Sequence, residues 1–560
     1  MAHRVARVRA RAALGAMVAM ASALMFTAAP SATAATAPHG ELRFATSSDI
    51  PMLDPLGQND TASDRALDMI YDQLVEYNQT NQGLHPGLAQ RYTISKDGLT
   101  YTFYLRKNVK FSNGDPLTAE DVIFSLNRIT SQNATPSGPA PYGSSYSDIV
   151  GYQKWFDSKA QAKIGEPGMS GLTSPAPGVV QIKLQIAQPY FLYELAMAAG
   201  SIVDAKVAQK YGVNYQLHAT GTGPFKLQSW NRGHQMILVA NPTCWKGEPK
   251  VAKIVYDENV SYDLQMLRFE KGQYDFVFGP LPTEIYAKVL ASPSLKKLYH
   301  VQPWNAYTYL AFNTTKPPFN NIYLRQAANY AIDRALILRD ITNNRGTVMT
   351  QTLPPGVAGY NPAVKGYTYD VAKAKALVKE SGYKGQPITL VYPSNTSDNV
   401  RLAQIIQQEL SAIGLKVQIT GYSQIGSYWS LTDTPSANWN ICWDDWCMDY
   451  PDAQDIFLNL LSTQSFNGNN SGNWTDPQFQ KLIDAGDTMP PSQTAQRIAD
   501  YKKAEQIAVS DASWLFLYDL WQDALVQPWI HPQGTKADLM LYLHPVIEPQ
   551  FNLMTTTYKP

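Results

Sequence analysis

The sequence contains few cysteines and no net charge. Three cysteines, Cys244, Cys442 and Cys447, are present among the 560 residues. Three thiols cannot build the disulfide framework of a small secreted domain. One bridge from Cys244 to either Cys442 or Cys447 stays open, beside three buried free thiols. Lysine plus arginine (46) equals aspartate plus glutamate (46), so the chain has no electrostatic field that would draw it to nucleic acid.

Motifs for catalysis and metal binding are also missing. The sequence has no G-x-S-x-G nucleophile elbow, no P-loop and no H-E-x-x-H zinc motif. Its eight histidines are scattered, without a pair at the spacing of metal ligands. A glycosidase-type carboxylate pair stays open, because a meeting in space is not visible in a sequence. The absence of these motifs makes an enzyme less expected, and we expect no metal or cofactor.

Long apolar runs are confined to the N-terminus. Residues 1–11 carry four arginines, residues 12–29 are uncharged and mostly apolar, and small residues follow. This order, with a duplicated A-x-A site, predicts a cleaved signal peptide over residues 1–36 and a periplasmic or otherwise extracytoplasmic protein. A membrane anchor is the alternative. No cysteine lies near the cleavage site, so we expect no lipid anchor on an N-terminal cysteine.

The length and the order of the predicted elements indicate the fold class. A chain of 560 residues is too long for one hydrophobic core, so we expect two or more lobes. Residues 61–74 and 324–335 are each predicted to form one helix, and Thr118 can cap the first turn of another. In the first half, residues 91–94 and 101–105 alternate as the strands of a hairpin. In the second half, strand-like residues 388–392 and 415–419 flank a helical segment that ends at Gly414. This β-α-β order predicts an α/β protein with a mostly parallel, helix-covered sheet.

Several segments together resemble one protein family. They include Leu53-Asp54-Pro55, residues 107–122, residues 221–225 and residues 318–327, in this order along the chain. With them the chain resembles the large extracellular solute-binding proteins of the dipeptide, oligopeptide and nickel class. The resemblance covers essentially all of the mature chain, and it is specific because the segments occur together.

The resemblance implies a two-lobed, periplasmic-binding-protein-like fold of type II, with an extra subdomain in the first lobe. The two lobes would be joined by two crossing strands and would close on the ligand. The implied boundaries are lobe 1 over residues 37–82, 202–304 and 518–560, the extra subdomain over residues 83–201, and lobe 2 over residues 305–517.

The same resemblance implies a function. The protein would be the substrate-binding component of an ABC importer that captures a short peptide and delivers it to a membrane permease. It would act as a monomer and would do no chemistry. Alternatives are the same role for an oligosaccharide or another uncharged or cationic solute, a receptor that reports to a sensor, and a secreted hydrolase.

One segment matches the ligand-binding segment of oligopeptide-binding relatives residue by residue. It is Trp446-Cys447-Met448-Asp449-Tyr450. In those relatives its aspartate meets the α-ammonium group of the peptide, and its backbone pairs with the extended peptide. Asp449 is therefore the expected ammonium anchor. The alternative is that Asp449 caps the turn that follows it.

Further candidates follow from the same alignment. They are Asp445 beside this segment, Trp446, Trp443 and Trp304 as pocket walls, and Asn59, Asp60 and Thr61 from the other lobe. Core positions for the tryptophans and helix capping for the residues at 59–61 are the alternatives.

The sequence departs from peptide-binding relatives in one respect. Those relatives often carry an arginine near this segment for the carboxylate of the peptide, whereas residues 424–450 contain no Lys, Arg or His. The sequence therefore predicts an acidic or neutral pocket. Such a pocket would suit cationic ligands, longer peptides with an unfixed C-terminus, or an oligosaccharide.

Overall fold

The computed structural model describes residues 40–58, 60–77, 83–531 and 557–558. The predicted signal peptide and most of the C-terminal tail lie outside the described residues. Within them, every helix is too short or too polar to pass through a lipid bilayer.

The first part of the chain forms small sheets and short helices. Its helices are α1 Thr61–Ile70, α2 Ala119–Ile129, α3 Tyr152–Ser158, α4 Phe191–Ala196, α5 Ala205–Tyr211, α6 Tyr262–Glu270, α7 Thr283–Ala291 and α8 Pro293–Lys296. Its strands are β1 Glu41–Ala45, β2 Val75–Tyr77, β3 Leu84–Pro86, β4 Ala89–Ile94, β5 Thr100–Leu105, β6 Leu172–Ala176, β7 Val179–Lys183, β8 Phe225–Asn231, β9 Gln235–Ala240, β10 Lys253–Asp257 and β11 Phe276–Phe278.

The second part has longer elements. Its strands are β12 Tyr299–Phe312, β13 Gly346–Val348, β14 Pro387–Pro393, β15 Lys416–Tyr422, β16 Ile441–Cys447, β17 Trp514–Val526, β18 Ile530–His531 and β19 Thr557–Tyr558. Its helices are α9 Ile322–Ala331, α10 Arg334–Asp340, α11 Val371–Glu380, α12 Ser397–Ala412, α13 Ile425–Thr432, α14 Ala453–Ile456, α15 Pro477–Asp487 and α16 Thr494–Ser510.

Three larger sheets organise these elements. One has the order β1-β10-β9-β8, the second has the order β4-β5-β7-β6, and the third has the order β11-β17-β12-β16-β14-β15 with β13 beside β17. In the third sheet, β14 pairs in parallel with both β15 and β16, and α12 connects β14 to β15. The β-α-β expectation for this part is therefore confirmed, although the long pair β12 and β17 is antiparallel.

The buried apolar residues separate into two lobes. One large core runs from Tyr307 to Tyr518, and we call the part of the molecule around it lobe 2. The other cores are built almost entirely from residues before 300 and from residues 525–530, and we call that part lobe 1. The fold is the two-lobed α/β fold expected from the sequence.

Strands β12 and β17 run from one lobe into the other. Near Tyr299, β12 pairs with the end of β17 that also contacts β11 in lobe 1, and beyond Ala306 it pairs with β16 in lobe 2. Their register shifts between Pro303 and Ala306. A bulge of this kind bends a strand locally, so this segment is suited to be the hinge between the lobes.

The end of helix α1 differs from the sequence expectation, which extended the helix to Leu74. The helix ends at Ile70, and Tyr71 is extended. Gly221 and Gly223 pack directly against this end, and a Cβ atom on Gly221 would lie 2.1 Å from the Ile70 carbonyl oxygen. The backbone N–H of Gly223 donates to that oxygen at 2.9 Å. The glycines of residues 221–225 therefore hold the end of α1 by close backbone contact.

One further expectation is corrected, and one alternative that the sequence left open is decided. The helix predicted over residues 324–335 is two helices, α9 and α10, separated at Ile332 and Asp333, where Asp333 caps the second. Of the two alternatives for the cysteines, the structure shows the one without a disulfide: Cys244 and Cys442 are buried and Cys447 is half-buried. Cys442 and Cys447 lie on the same strand, β16, and neither forms a bridge to Cys244.

Candidate functional site

A cavity of about 1030 Å³ lies between the lobes. Lobe 1 lines it with residues from 58–64, 141–148 and 186–198, and lobe 2 lines it with residues from 445–459, 464–469 and 484–488. Ligand pockets in proteins commonly enclose 300–1,000 Å³, so this cavity is large enough for an extended organic molecule.

Strand β16 delivers one wall of the cavity. It is held in register by β12, with Ala306 opposite Cys447 and Thr308 opposite Asp445. The Thr308 hydroxyl donates to one Asp445 carboxylate oxygen at 2.9 Å, and Trp443 Nε1 donates to the other at 2.8 Å. Burial raises the pKa of Asp445, against the effect of these two hydrogen bonds.

Asp449 follows the end of this strand and faces the other lobe. Its Oδ1 accepts a hydrogen bond from the Tyr142 hydroxyl of lobe 1 at 3.0 Å. No salt bridge to Asp449 occurs among the residues that the structure describes. Burial raises the pKa of Asp449 to about 6, against the opposing effect of the Tyr142 hydrogen bond. A carboxylate in such a place is set to bind a cation.

The turn that follows is capped by a different aspartate. Asp452 is the N-cap of α14, where its side chain accepts from the backbone N–H of Gln454 at 3.0 Å. Two guanidinium nitrogens of Arg497 donate hydrogen bonds to the same carboxylate, at 2.7 and 2.6 Å. The capping alternative for Asp449 is therefore wrong, because Asp452 caps this helix.

A buried carboxyl lies beneath Asp449. Asp455 Oδ2 accepts from Trp446 Nε1 at 3.0 Å and from the backbone N–H of Asp449 at 3.2 Å. Asn459 Nδ2 donates to the other Asp455 oxygen at 3.2 Å. Burial and the nearby Asp449 carboxylate raise the pKa of Asp455. Asp455 thus orients both the indole of Trp446 and the chain at Asp449.

The lobe 1 wall carries its own acidic residues on helix α1. Asp60 is the N-cap of this helix and accepts from the backbone N–H of Ser63 at 2.8 Å. Asp64 lies one turn further and also lines the cavity. Burial is the largest cause that raises the pKa of Asp64 well above its usual range, and the charges of Asp68, Asp60 and Asp449 add to it.

The two lobes are in contact across the cavity. Tyr450 of lobe 2 stacks on Tyr190 and Tyr193 of lobe 1, with ring centroids 5.9 and 6.3 Å apart and nearly parallel planes. Together with the bond between Tyr142 and Asp449, these contacts define a closed arrangement of the lobes.

The lining is acidic. None of the described residues that line the cavity is Lys, Arg or His. Its carboxyl groups belong to Asp60, Asp64, Asp148, Glu194, Asp445, Asp449, Asp484 and Asp487. The acidic or neutral pocket expected from residues 424–450 is therefore found, and the acidity extends to the opposite lobe.

Five of the residues singled out in the sequence line this cavity: Asp60, Asp445, Trp446, Cys447 and Asp449.

Trp443 does not line the cavity. It is buried in the core of lobe 2, with 4% of its surface exposed, because it lies two residues further from the cleft than Asp445 on the same face of β16. Thr61 is the first residue of α1 and Trp304 lies in β12, but their side chains are outside what the structure describes. Asn59 lies outside the described residues.

Sequence reasoning missed Tyr142, Asp64, Glu194 and Asp455. Asp64 had a weak signal, because it lies in the first turn of the helix that Asp60 caps. Tyr142 had none, since it lies in an irregular segment whose path depends on the surrounding fold. A metal centre is not indicated, because no group of three or more His, Cys, Asp or Glu residues within the described ranges could hold an ion.

The fold and the closed, interlobe cavity define a two-lobed solute-binding protein. The model of the bacterial extracellular solute-binding proteins, family 5, matches residues 83–468. The chain belongs to this family.

Curated relatives are similar over most of their length. The dipeptide-binding protein of Escherichia coli is 27% identical over 468 residues, which cover 80% of this chain and 83% of that protein. Heme-binding protein A of Haemophilus influenzae is 27% identical over 474 residues, or 81% and 82% of the two chains.

A solved structure of a similar protein has the same fold. The periplasmic binding protein DppA from Helicobacter pylori, in complex with the peptide STSA, is 25% identical. It superimposes with a TM-score of 0.73 and covers 93% of this chain and 98% of that chain.

Proposed function

We propose that this protein is the exported receptor of an ABC importer and that it captures a short peptide between its lobes. In this proposal residues 1–36 are removed as a signal peptide, and a monomer delivers the ligand to a membrane permease. The lobe boundaries stay those implied by the sequence, with the extra subdomain over residues 83–201 and lobe 2 over residues 305–517.

The observation that carries the proposal is the Asp449 carboxylate. It lies at the meeting of the lobes, accepts one hydrogen bond from Tyr142 and has no cationic partner among the described side chains. A buried carboxylate is stabilised by a paired, hydrogen-bonded cation. The α-ammonium group of a peptide supplies one positive charge and three N–H donors to such a group.

The edge of β16 supports an extended ligand. On one side the strand pairs with β12 along its whole length, and on the other it pairs with β14 only at Ile441 and Cys442. From Trp443 to Trp446 that second edge has no strand partner within the described residues. An extended peptide can add to such an edge through main-chain hydrogen bonds, which give affinity without reading side chains.

The relatives support the same class of ligand. The names of the Escherichia coli protein and of the Helicobacter pylori complex both specify peptides. The family consists of solute-binding proteins, which supports a role in capture and not in catalysis.

Native mass spectrometry of the purified mature protein, followed by denaturation and identification of released molecules, tests the proposal. We expect short peptides, recovered without chemical change after incubation. Release of an oligosaccharide would retain the transport role but would remove Asp449 as an ammonium anchor. Conversion of an added ligand to products would overturn the receptor role.

A further inference from the structure

One carboxyl oxygen on the lobe 1 wall lacks a hydrogen-bond donor within the described part of the chain. Asp64 is 6% exposed, and its Oδ1 atom has no hydrogen-bond donor among the residues that the structure describes. The Gln58 side chain lies close to the same carboxyl group and lowers its pKa, against the larger effect of burial. A buried acceptor without a donor costs free energy, so this oxygen is placed to receive one from a ligand.

Two amide oxygens on the same wall also lack a hydrogen-bond donor among the described residues. Gln58 Oε1 and Gln188 Oε1 belong to residues that line the cavity, each 5% exposed, and neither has a donor within the described part of the chain. The side-chain nitrogen of Gln188 is used, since it donates to Glu194 at 3.0 Å. The lobe 1 wall therefore presents unsatisfied hydrogen-bond acceptors, and it suits a ligand that carries several hydrogen-bond donors.

Closure brings like charges together across the cavity. The charge of Asp449 in lobe 2 raises the pKa of both Asp64 and Glu194 in lobe 1, after the larger effect of burial. One ammonium group on Asp449 leaves the two lobe 1 carboxyls without a counter-ion. Since the described lining contains no Lys, Arg or His, the protein itself does not supply a second positive charge.

From these contacts we propose that the cavity selects peptides with a basic side chain near their N-terminus. The α-ammonium group binds Asp449, and the ammonium or guanidinium group of the side chain binds Asp64 together with the Gln58 oxygen. The C-terminal carboxylate of the peptide extends away from this acidic wall. This assignment rests on the proposed function, because it takes Asp449 as the anchor of a peptide.

Isothermal titration calorimetry at pH 7 with two tetrapeptide amides tests the assignment. Lys-Ala-Ala-Ala-amide is compared with the same peptide carrying norleucine, which keeps the aliphatic chain of lysine and removes its charge. We expect the lysine peptide to bind about a hundredfold more tightly, the effect of one buried charge-assisted contact. Asp64→Asn should lower the affinity for the lysine peptide until it is close to the affinity for the norleucine peptide.

Asp157→Asn is the matched control. It makes the same change of charge and shape on an exposed side chain of lobe 1 that lies outside the cavity lining. It should leave the ratio of the two affinities unchanged, and circular dichroism verifies that both variants fold. Because the comparison of the two peptides uses the unmodified protein, it stands even if Asp64→Asn fails to fold.

The outcomes separate this assignment from the proposed function. Equal, measurable affinity of the unmodified protein for both peptides would overturn the second cation site and leave peptide capture in place. Binding of neither peptide would overturn peptide capture as well. Binding of 1,5-diaminopentane without either peptide would assign the acidic cavity to small dications and overturn both.

Discussion

Carboxylates in two regions of this protein differ in their partners. Outside the cavity, Asp54 and Asp452 are held by Arg128 and Arg497 at 2.6 Å. Inside it, Asp449 has a hydrogen bond from a tyrosine but no cation. The difference shows which carboxylates complete the fold by themselves and which are completed by a ligand.

The same difference between paired and unpaired carboxylates is seen at two neighbouring aspartates, Asp449 and Asp452. They differ by three residues and have nearly the same chemistry, yet Asp452 is fully paired and Asp449 is not. The predictions below act on one or the other member of this comparison.

The largest expected effect is on folding, when the partner of Asp452 is removed. Arg497→Met leaves a buried carboxylate without its cation and should lower the free energy of unfolding by ~3–5 kcal/mol. Urea denaturation followed by far-ultraviolet circular dichroism measures it. Lys503→Met on the same helix, where the ion pair is exposed on the lysine side, is the control and should change stability by less than ~1 kcal/mol. Equal losses from both variants would contradict the comparison.

Asp449→Ala should weaken ligand binding, whereas the previous change acts on folding. It removes the carboxylate that meets the ligand cation and should cost ~3–5 kcal/mol of binding free energy for a peptide with a free amino group, by calorimetry. An N-acetylated peptide should bind the unmodified protein and the variant with similarly low affinity. Unchanged affinity of a folded variant would remove Asp449 from the site.

Acidification should weaken ligand binding. The pKa of Asp449 is raised from its ordinary 3.8 to about 6 in the closed cavity, where Tyr142, Asp455, Asp64 and Glu194 face it. A ligand cation binds only the ionised form, so below about pH 6 it must displace a proton.

Affinity should therefore be nearly constant above pH 7 and fall by about tenfold per pH unit below pH 6. Calorimetry at pH 6 in buffers of different ionisation enthalpy should detect the released proton. Tighter binding at low pH would contradict this sign.

The smallest expected effect is a gain in stability without ligand. Burial raises the pKa of Glu194 well above its ordinary range, so the folded protein binds this proton more tightly than the unfolded chain does. Its contribution to stability is therefore lost as the pH rises above the unfolded value near 4.5.

Glu194→Gln keeps an acceptor for Gln188 and removes the ionisation. It should raise the melting temperature by about 2 °C at pH 8 and by less at pH 5, in thermal scans of ligand-free protein. A lower melting temperature at pH 8 would show that Glu194 has a stabilising partner.

Much of the fold could be predicted, because it depends on local patterns. The capping of α2 by Thr118, the hairpin of residues 91–105 and the β-α-β order around α12 are all as expected. The end of α1 was not, since Gly221 and Gly223 stop it from a distance of about 150 residues in sequence. Local propensity continues a helix that a tertiary contact ends.

The candidate site also has a part that the sequence could predict and a part that it could not. Asp449, Trp446, Cys447 and Asp445 belong to one continuous segment, so a resemblance along the chain was enough to locate them. Tyr142 and Glu194 reach the same cavity from other parts of the chain. Trp443 looked like a pocket residue by its position in the segment, but its place on β16 puts it in the core.

The sequence by itself determined the family, the α/β class and an acidic binding segment, because these follow from residue order, periodicity and composition. The tertiary structure decided which acidic groups meet. Asp452 meets Arg497 through the packing of helices inside lobe 2, whereas Asp449 meets only Tyr142, from the other lobe. Tertiary packing, and not spacing in the sequence, sets these distances between carboxylates and their partners.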